Sequence, residues 1–242
     1  MKLFPVLGLV SLGACAALYL GCSSSTVAGS SSGGAGDAAA DVKVDTGKGD
    51  GGGGGGDGGA PACYDTANSG VFATTKATAN QGKCTAVQIK GFFDACLGNA
   101  ATEADCKAFD ENVANTDCNK CMFGPVNGDD VTKFSDPPMI EAGTSVFINT
   151  GLCSGLAAGD AACAKKLSDE GTCLISSCAE CDDADADACD TAAAGDVCKQ
   201  YLAGATCEAT VKAKQAAVDA QCDAADFDAL YTKVVTYICG AP

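Results

Sequence analysis

The sequence contains no histidine and no tryptophan, and all 15 of its basic residues are lysines, so arginine is absent as well. The absence of histidine excludes nucleophilic catalysis by Ser-His-Asp or Cys-His groups. The absence of arginine excludes phosphoryl transfer with an arginine clamp, and the absence of tryptophan disfavours an aromatic platform for sugars. Hydrolysis by paired carboxylates stays formally open because Asp and Glu are plentiful, although no motif marks such a pair.

Positive charge is also scarce, since 31 acidic residues against 15 lysines give a net charge of −16. The lysines are scattered, and the single adjacent pair is Lys165-Lys166. Phosphate backbones are bound by clustered basic side chains, so nucleic acid is excluded as an expected partner. The acidic surface is expected to serve solubility, and a weak cation-binding surface is the alternative.

Cysteine is abundant, with 18 residues in the chain. This usage is typical of disulfide scaffolds in oxidising compartments. The following cysteines are predicted to form disulfides, with a pairing that the sequence does not reveal: Cys63, Cys84, Cys96, Cys106, Cys118, Cys121, Cys153, Cys163, Cys173, Cys178, Cys181, Cys189, Cys198, Cys207, Cys222 and Cys239.

Residues 1–21 are predicted to be an export signal, because Lys2 precedes an apolar stretch that is short for a membrane-spanning helix. The stretch ends in Gly21-Cys22, followed by serines. This junction resembles the lipobox of bacterial lipoproteins, although Tyr19 replaces the usual leucine. The resemblance implies that Cys22 is the lipidated residue.

Cys15, in Leu12-Gly13-Ala14-Cys15, is the rival lipidation site and fits the lipobox better by residue type. Cysteine parity favours Cys22, because removal of Cys15 with the signal leaves 16 cysteines, whereas lipidation of Cys15 leaves Cys22 as an odd thiol.

Residues 22–61 are predicted to be the lipidated cysteine followed by a disordered linker rich in Gly, Ser and Asp. As a flexible coil, residues 23–60 would span roughly 35 Å. That length would hold a folded domain clear of the bilayer.

Residues 62–242 are predicted to fold as a mainly α-helical domain of disulfide-stapled hairpins with at most one short β element. Two sub-domains, about 62–135 and 136–242, are considered. In the first half, a capping box at Thr85 and Gln88 starts a helix that Gly98 ends, and Thr102 starts a second helix. Cys106, Phe109 and Val113 recur at helical spacing along that second helix. A strand is expected over 144–148.

In the second half, Asp160 is predicted to cap a helix that carries Cys163 and Leu167, and Asp196 to cap one that carries Cys198, Tyr201 and Leu202. The last helix, after Asp226, has the clearest apolar stripe. Its members are Phe227, Leu230, Tyr231, Val234, Val235 and Ile238.

Two segments repeat faintly, since Cys96-x9-Cys106-Lys107-x-Phe109 resembles Cys189-x8-Cys198-Lys199-x-Tyr201. The repeat has two equal interpretations, an old duplication or convergence of two helical hairpins.

Two Cys-x-x-Cys pairs, Cys118/Cys121 and Cys178/Cys181, could form a zinc site or a redox centre. Structural disulfides are favoured instead, because many other cysteines compete and the expected compartment is oxidising. No cofactor and no metal is therefore predicted.

An acidic run from Asp182 to Asp190 imitates the start of a calcium-binding EF-hand loop. The glycine and the bidentate glutamate that such a loop needs are replaced by Ala188 and Ala194. A solvated acidic segment is the favoured interpretation, with weak Ca²⁺ binding as the alternative.

A lipobox, a Gly/Asp linker and Ala/Cys-rich helices together resemble the cysteine-rich lipoproteins of myxobacteria. The resemblance covers most of the chain in style, implies an exported protein with a lipid anchor in the outer membrane, and carries no activity or functional residues. We expect a non-enzymatic interaction or structural module with a protein or cell-surface partner. The alternatives are a carboxylate-dependent hydrolase and a weak Ca²⁺-binding surface protein.

Overall fold

The computed structural model describes residues 60–242, except residues 68, 73–74, 127, 144 and 183. The predicted signal, Cys15, Cys22 and the linker up to residue 59 lie outside the described residues, as do Thr144 and Asp183. Among the described residues, no helix has the length and apolar character needed to cross a bilayer.

The described residues form nine α-helices and one two-stranded sheet, which confirms the predicted mainly α-helical, disulfide-stapled fold. The helices are α1 Ala86–Phe92, α2 Glu103–Glu111, α3 Thr116–Phe123, α4 Thr150–Ala157, α5 Ala161–Cys178, α6 Ala186–Gly195, α7 Ala205–Lys212, α8 Gln215–Cys222 and α9 Phe227–Cys239, and the strands are β1 Met139–Ala142 and β2 Ser145–Ile148. A π-helical turn, Phe93–Leu97, continues α1.

Side-chain caps begin the helices at the predicted residues. The Thr85 hydroxyl accepts a hydrogen bond from the Gln88 N–H at 3.2 Å, and the Gln88 side chain accepts one from the Thr85 N–H at 2.9 Å. The Asp160 carboxylate accepts from the backbone N–H groups of Ala162 and Cys163 at the start of α5. These bonds satisfy amides that have no partner within the helix.

The predicted strand is present as β2, and it pairs with β1 in an antiparallel hairpin with Met139 opposite Ile148 and Ala142 opposite Ser145. The partner strand β1 was not predicted. It follows Pro137-Pro138, and three of its four residues are buried.

The main core gathers around α9. Tyr231, Val234, Val235 and Ile238 are fully buried, and the Tyr231 hydroxyl donates to the Ile89 carbonyl at 3.0 Å. The aromatic rings of α1, α2 and α3 pack against this face and against one another. The apolar stripe predicted for the last helix is therefore confirmed as the centre of the core.

Two local predictions are wrong. Val113 is 86% exposed, because α2 ends at Glu111 and the chain turns into a short 3-10 segment. Asp196 does not start a helix; it lies at the end of α6, and only a three-residue 3-10 turn, Lys199–Tyr201, follows. Cys198 is buried in a disulfide at this turn, so tertiary packing overrides the local start signal.

The division into two sub-domains near residue 135 stays a prediction. Two disulfides, Cys63–Cys181 and Cys121–Cys239, connect the two parts, and the main core draws residues from both.

Candidate functional site

All sixteen cysteines of the described region lie in disulfides. The eight bonds are Cys63–Cys181, Cys84–Cys118, Cys96–Cys106, Cys121–Cys239, Cys153–Cys222, Cys163–Cys207, Cys173–Cys198 and Cys178–Cys189. A domain cross-linked to this extent is typical of an oxidising compartment.

Neither Cys-x-x-Cys pair closes on itself. Cys118 and Cys121 bond to the chain before α1 and to the end of α9, whereas Cys178 and Cys181 bond to α6 and to the first cysteine of the domain. Each of the four cysteines is therefore bonded to a partner outside its own Cys-x-x-Cys motif, which is the arrangement of structural cross-links.

The repeated segments are not structurally equivalent. In the first, Cys96 and Cys106 bond to each other. In the second, Cys189 bonds to Cys178, and Cys198 bonds to Cys173. The pairing therefore favours convergence over duplication.

The acidic run lies at the start of α6. The Asp182 carboxylate accepts from the backbone N–H groups of Ala184 and Asp185, and burial raises the pKa of Asp190, to which the neighbouring charge of Asp187 adds. Over the described residues, which exclude Asp183, no group of three or more Cys, Asp or Glu side chains is arranged to hold a metal ion.

We call the described residues of 60–77 the arm. The most unusual polar grouping lies where α5 contacts the arm, and it consists of a largely buried lysine between two aspartates. Lys165 Nζ lies 3.3 Å from Asp136 Oδ1 and also contacts Asp169 Oδ1. The side chains of Lys165, Asp136 and Asp169 are 18%, 4% and 16% exposed. We call these three residues the Asp-Lys-Asp cluster.

Local structure fixes each member of the cluster. Lys165 and Asp169 are four residues apart on α5, so their side chains share one face of the helix. Asp136 precedes two prolines, which favour extended backbone before them, and its N–H donates to the Lys76 carbonyl of the arm at 2.6 Å. The arm thus holds Asp136 over the lysine.

A buried polar stripe continues this contact along α5. Ser168, Thr172 and Ser176 recur every four residues and are buried. The Asp65 N–H donates to the Ser177 carbonyl at 2.9 Å. A Cβ on Gly70 would lie 2.1 Å from the Ser176 hydroxyl oxygen, so the arm approaches this stripe at close range.

The cluster places one ammonium beside two largely buried carboxylates. Burial raises the pKa of Asp136, although Thr75, Lys165 and Ser168 each act to lower it. Burial also raises the pKa of Asp169, although Lys165 opposes the shift. Burial therefore disfavours the charged form of both acids, and the single ammonium acts against that effect.

Thr75 contacts the same acid through its hydroxyl. The hydroxyl oxygen lies 2.7 Å from the Phe72 carbonyl and also contacts Asp136 Oδ1. A hydroxyl has one proton to donate. The Phe72 carbonyl and Asp136 Oδ1 therefore share the Thr75 hydroxyl as a donor, and its donation to the carboxylate acts to lower the pKa of Asp136.

The second carboxyl oxygen of Asp136, Oδ2, favours the neutral form of the acid. Asp136 Oδ2 is buried and, among the described residues, has no hydrogen-bond partner. A buried carboxylate oxygen without a partner is costly, and the neutral acid lowers that cost.

Sequence reasoning missed this cluster. The spacing of Lys165 and Asp169 was visible as a helical ion pair, but such pairs usually lie on solvated surfaces. Asp136 is remote in sequence, and nothing near it marks burial.

Two surface depressions among the described residues are open to solvent. One lies beside α9 and is lined by Asp226, Asp228, Lys233 and Tyr237 among others. The other lies between α1 and α2. Asp226 caps α9, and Asp228 accepts from the Thr232 hydroxyl, so both carboxylates already have partners within the helix.

Comparison with known protein families, with curated protein sequences and with solved structures finds no match for this chain.

Proposed function

We propose that this chain is an exported lipoprotein, attached to a membrane through a lipid on Cys22, whose cysteine-rich domain is a non-enzymatic structural or interaction module. The observation that carries the proposal is the complete pairing of sixteen cysteines in eight disulfides. Such a domain is typical of compartments where thiols are oxidised, and this supports export.

The pairing also supports Cys22 over Cys15 as the anchor. All sixteen cysteines from Cys63 onward are paired, so a mature chain that starts at Cys22 has no thiol left over once this cysteine is lipidated. A chain lipidated on Cys15 would carry Cys22 as an unpaired thiol in an oxidising compartment.

The position of the first disulfide suits a tethered domain. Cys63–Cys181 joins the start of the arm to the segment after α5 across 118 residues of sequence. A force applied at the N-terminal side of the domain would therefore be transmitted through this disulfide to the segment after α5, and it would not separate the arm from the domain. The outer membrane is the proposed location, and a protein or cell-surface component is the proposed partner.

The alternative functions have weaker support. A carboxylate hydrolase needs two close acids in a cleft, and the acids that line the depression beside α9 are engaged in capping and in a side-chain hydrogen bond. Weak Ca²⁺ binding has little support because the Asp182 carboxylate of the acidic run already accepts hydrogen bonds from two backbone N–H groups.

Metabolic labelling with an alkyne fatty acid tests the anchor. The wild-type chain and the Cys15→Ala variant should incorporate the label and fractionate with membranes. Cys22→Ala should lose the label and be released, because the lipid has no other attachment point. Label retained in Cys22→Ala and lost in Cys15→Ala would move the anchor to Cys15, and an unlabelled wild-type chain would refute the lipoprotein.

A further inference from the structure

The Asp-Lys-Asp cluster holds an amine and a carboxyl group in the arrangement that precedes amide formation. Lys165 Nζ lies 3.3 Å from Asp136 Oδ1, one covalent bond from the carboxyl carbon that it would attack. Two groups held close together in a reactive orientation react as if at very high concentration, because the fold has already removed their freedom to move apart.

We propose that Lys165 and Asp136 condense spontaneously into an isopeptide bond between Nζ and Cγ, with Asp169 as the proton acceptor. The inference is independent of the lipid anchor and rests only on the cluster.

The reaction needs a neutral amine, and Asp169 is placed to produce one. Its carboxylate contacts the ammonium of Lys165 directly. Burial raises the pKa of Asp169 and makes it a stronger proton acceptor than an exposed aspartate. Because both groups are largely buried, proton transfer removes two opposite charges from a site that solvates them poorly.

The reaction also needs a protonated carboxyl group, since an ionised carboxylate has no good leaving oxygen. The buried Asp136 Oδ2 has no hydrogen-bond partner among the described residues, which disfavours the charged form of this acid although Thr75 donates to Oδ1. Asp136 is the more buried of the two acids, at 4% against 16% exposed. The structure therefore assigns Asp136 as the electrophile and Asp169 as the base.

The step balances without a further reactant. Asp169 takes one proton from the Lys165 ammonium, and the amine attacks Asp136 Cγ. The Nζ–Cγ bond forms and the Cγ–Oδ1 bond breaks. A second proton passes from the nitrogen through Asp169 to the departing hydroxyl, so that water leaves and Asp169 ends protonated.

The surroundings fix both reacting groups. Lys165 Nζ also donates to the Phe72 carbonyl at 3.1 Å, which directs the amine toward the arm. The Asn149 side chain donates to the Pro137 carbonyl at 3.1 Å and to the Ser168 hydroxyl at 2.8 Å, which ties the residue after Asp136 to α5. Positioning of this kind favours reaction over rotation away from the partner.

Peptide mapping of the full-length protein tests the proposal. After reduction and alkylation, a lysine-specific protease cleaves after Lys133 and Lys166 but not after an acylated Lys165. The expected product is peptide 134–166 with the loss of one water, about 18 Da. Its tandem mass spectrum should lack backbone fragments from inside the ring closed by residues 136 and 165.

Matched variants identify the atoms involved. Lys165→Arg keeps the cation but removes the nucleophile, and Asp136→Ala removes the electrophile, so both should show no loss of water. Asp169→Asn should slow formation by roughly 10²-fold or more, as loss of a general base does. Lys166→Gln, which changes the exposed neighbour, should cross-link as the wild type does. Far-UV circular dichroism and a zero thiol count verify the fold of each variant.

Three results would overturn the proposal. Wild-type peptide 134–165 of full mass would show a simple ion pair. A branched product that joins 134–166 to 167–199 would place the bond on Asp169 instead of Asp136. A loss of water that persists in Lys165→Arg would locate the modification elsewhere.

Discussion

At the residue scale, Gly155 sets how closely α4 and α5 pack. A Cβ at this position would lie 2.2 Å from the Ala164 Cα and 2.4 Å from its backbone nitrogen. Both atoms belong to the helix backbone, so no side-chain rotation can relieve the clash. The close contact also fixes the start of α5, which carries the Asp-Lys-Asp cluster.

We therefore expect Gly155→Ala to destabilise the domain by more than about 2 kcal/mol, because the two helices must separate. Thermal unfolding followed by circular dichroism measures the effect. Gly171→Ala is the matched control, since a Cβ there meets nothing within 4 Å. This control should gain stability by about 0.5–1 kcal/mol from better helix propensity. Similar effects of the two substitutions would contradict the close packing of α4 on α5.

At the element scale, the sequence predicted helices best where a cap and an apolar stripe agree. Thr85, Thr102, Asp160 and Asp226 all cap the predicted helices with their side chains. Asp196 is also followed by apolar residues, but there the helix prediction is wrong, because α6 runs up to Asp196 and Cys198 is held by its disulfide to Cys173. A cap is a local signal, and packing of the residues after it decides whether a helix forms.

The candidate site was not predictable for a related reason. The Asp-Lys-Asp cluster joins α5 to Asp136, 29 residues before Lys165, and residue spacing does not reveal that these side chains are largely buried. The disulfide pairing is also long-range information, with two bonds that span 118 residues each. Residue spacing identifies the cysteines and the helices, but only the tertiary structure identifies their partners.

The cap of α5 gives a test at this scale. The Asp160 carboxylate accepts two backbone N–H bonds, so Asp160→Ala should cost about 1 kcal/mol of the free energy of unfolding. Asp185 lies at the same position of α6 but makes no side-chain cap. Asp185→Ala should therefore lower the free energy of unfolding by only a few tenths of the loss expected for Asp160→Ala. Chemical denaturation measures both variants, and equal losses would show that helix-start charge, not the cap bond, matters.

At the scale of the whole molecule, the disulfides are part of the packed core. Cysteines from four disulfides belong to or pack against the main core: Cys84, Cys118, Cys121, Cys153, Cys222 and Cys239 belong to it, and Cys96 packs against it. Two smaller clusters beside it are built largely from the sulfurs of Cys163–Cys207 and Cys173–Cys198. In those clusters the disulfides supply much of the apolar contact that larger side chains supply elsewhere.

Reduction should consequently unfold the domain at neutral pH and room temperature. A bond that closes a loop of about 100 residues contributes roughly 4–5 kcal/mol by restricting the unfolded chain, and two of the eight bonds span 118 residues. A domain of this size retains roughly 5–15 kcal/mol in total, so even strongly non-additive losses exceed that margin. Short isolated helices are marginal in water, so few of the nine should persist alone.

Circular dichroism before and after reduction and thiol blocking measures this loss, with unreduced protein treated with the same blocking reagent as the control. We expect the cooperative melt to disappear and most of the helical signal with it. Residual helicity should be greatest in α9, which carries the continuous apolar stripe of Tyr231, Val234, Val235 and Ile238. An isopeptide between Lys165 and Asp136 would survive reduction and keep one loop closed, so Lys165→Arg should lose at least as much residual structure as the wild type. A reduced protein that keeps its native spectrum and a cooperative melt would show that core packing, and not cross-linking, maintains the fold.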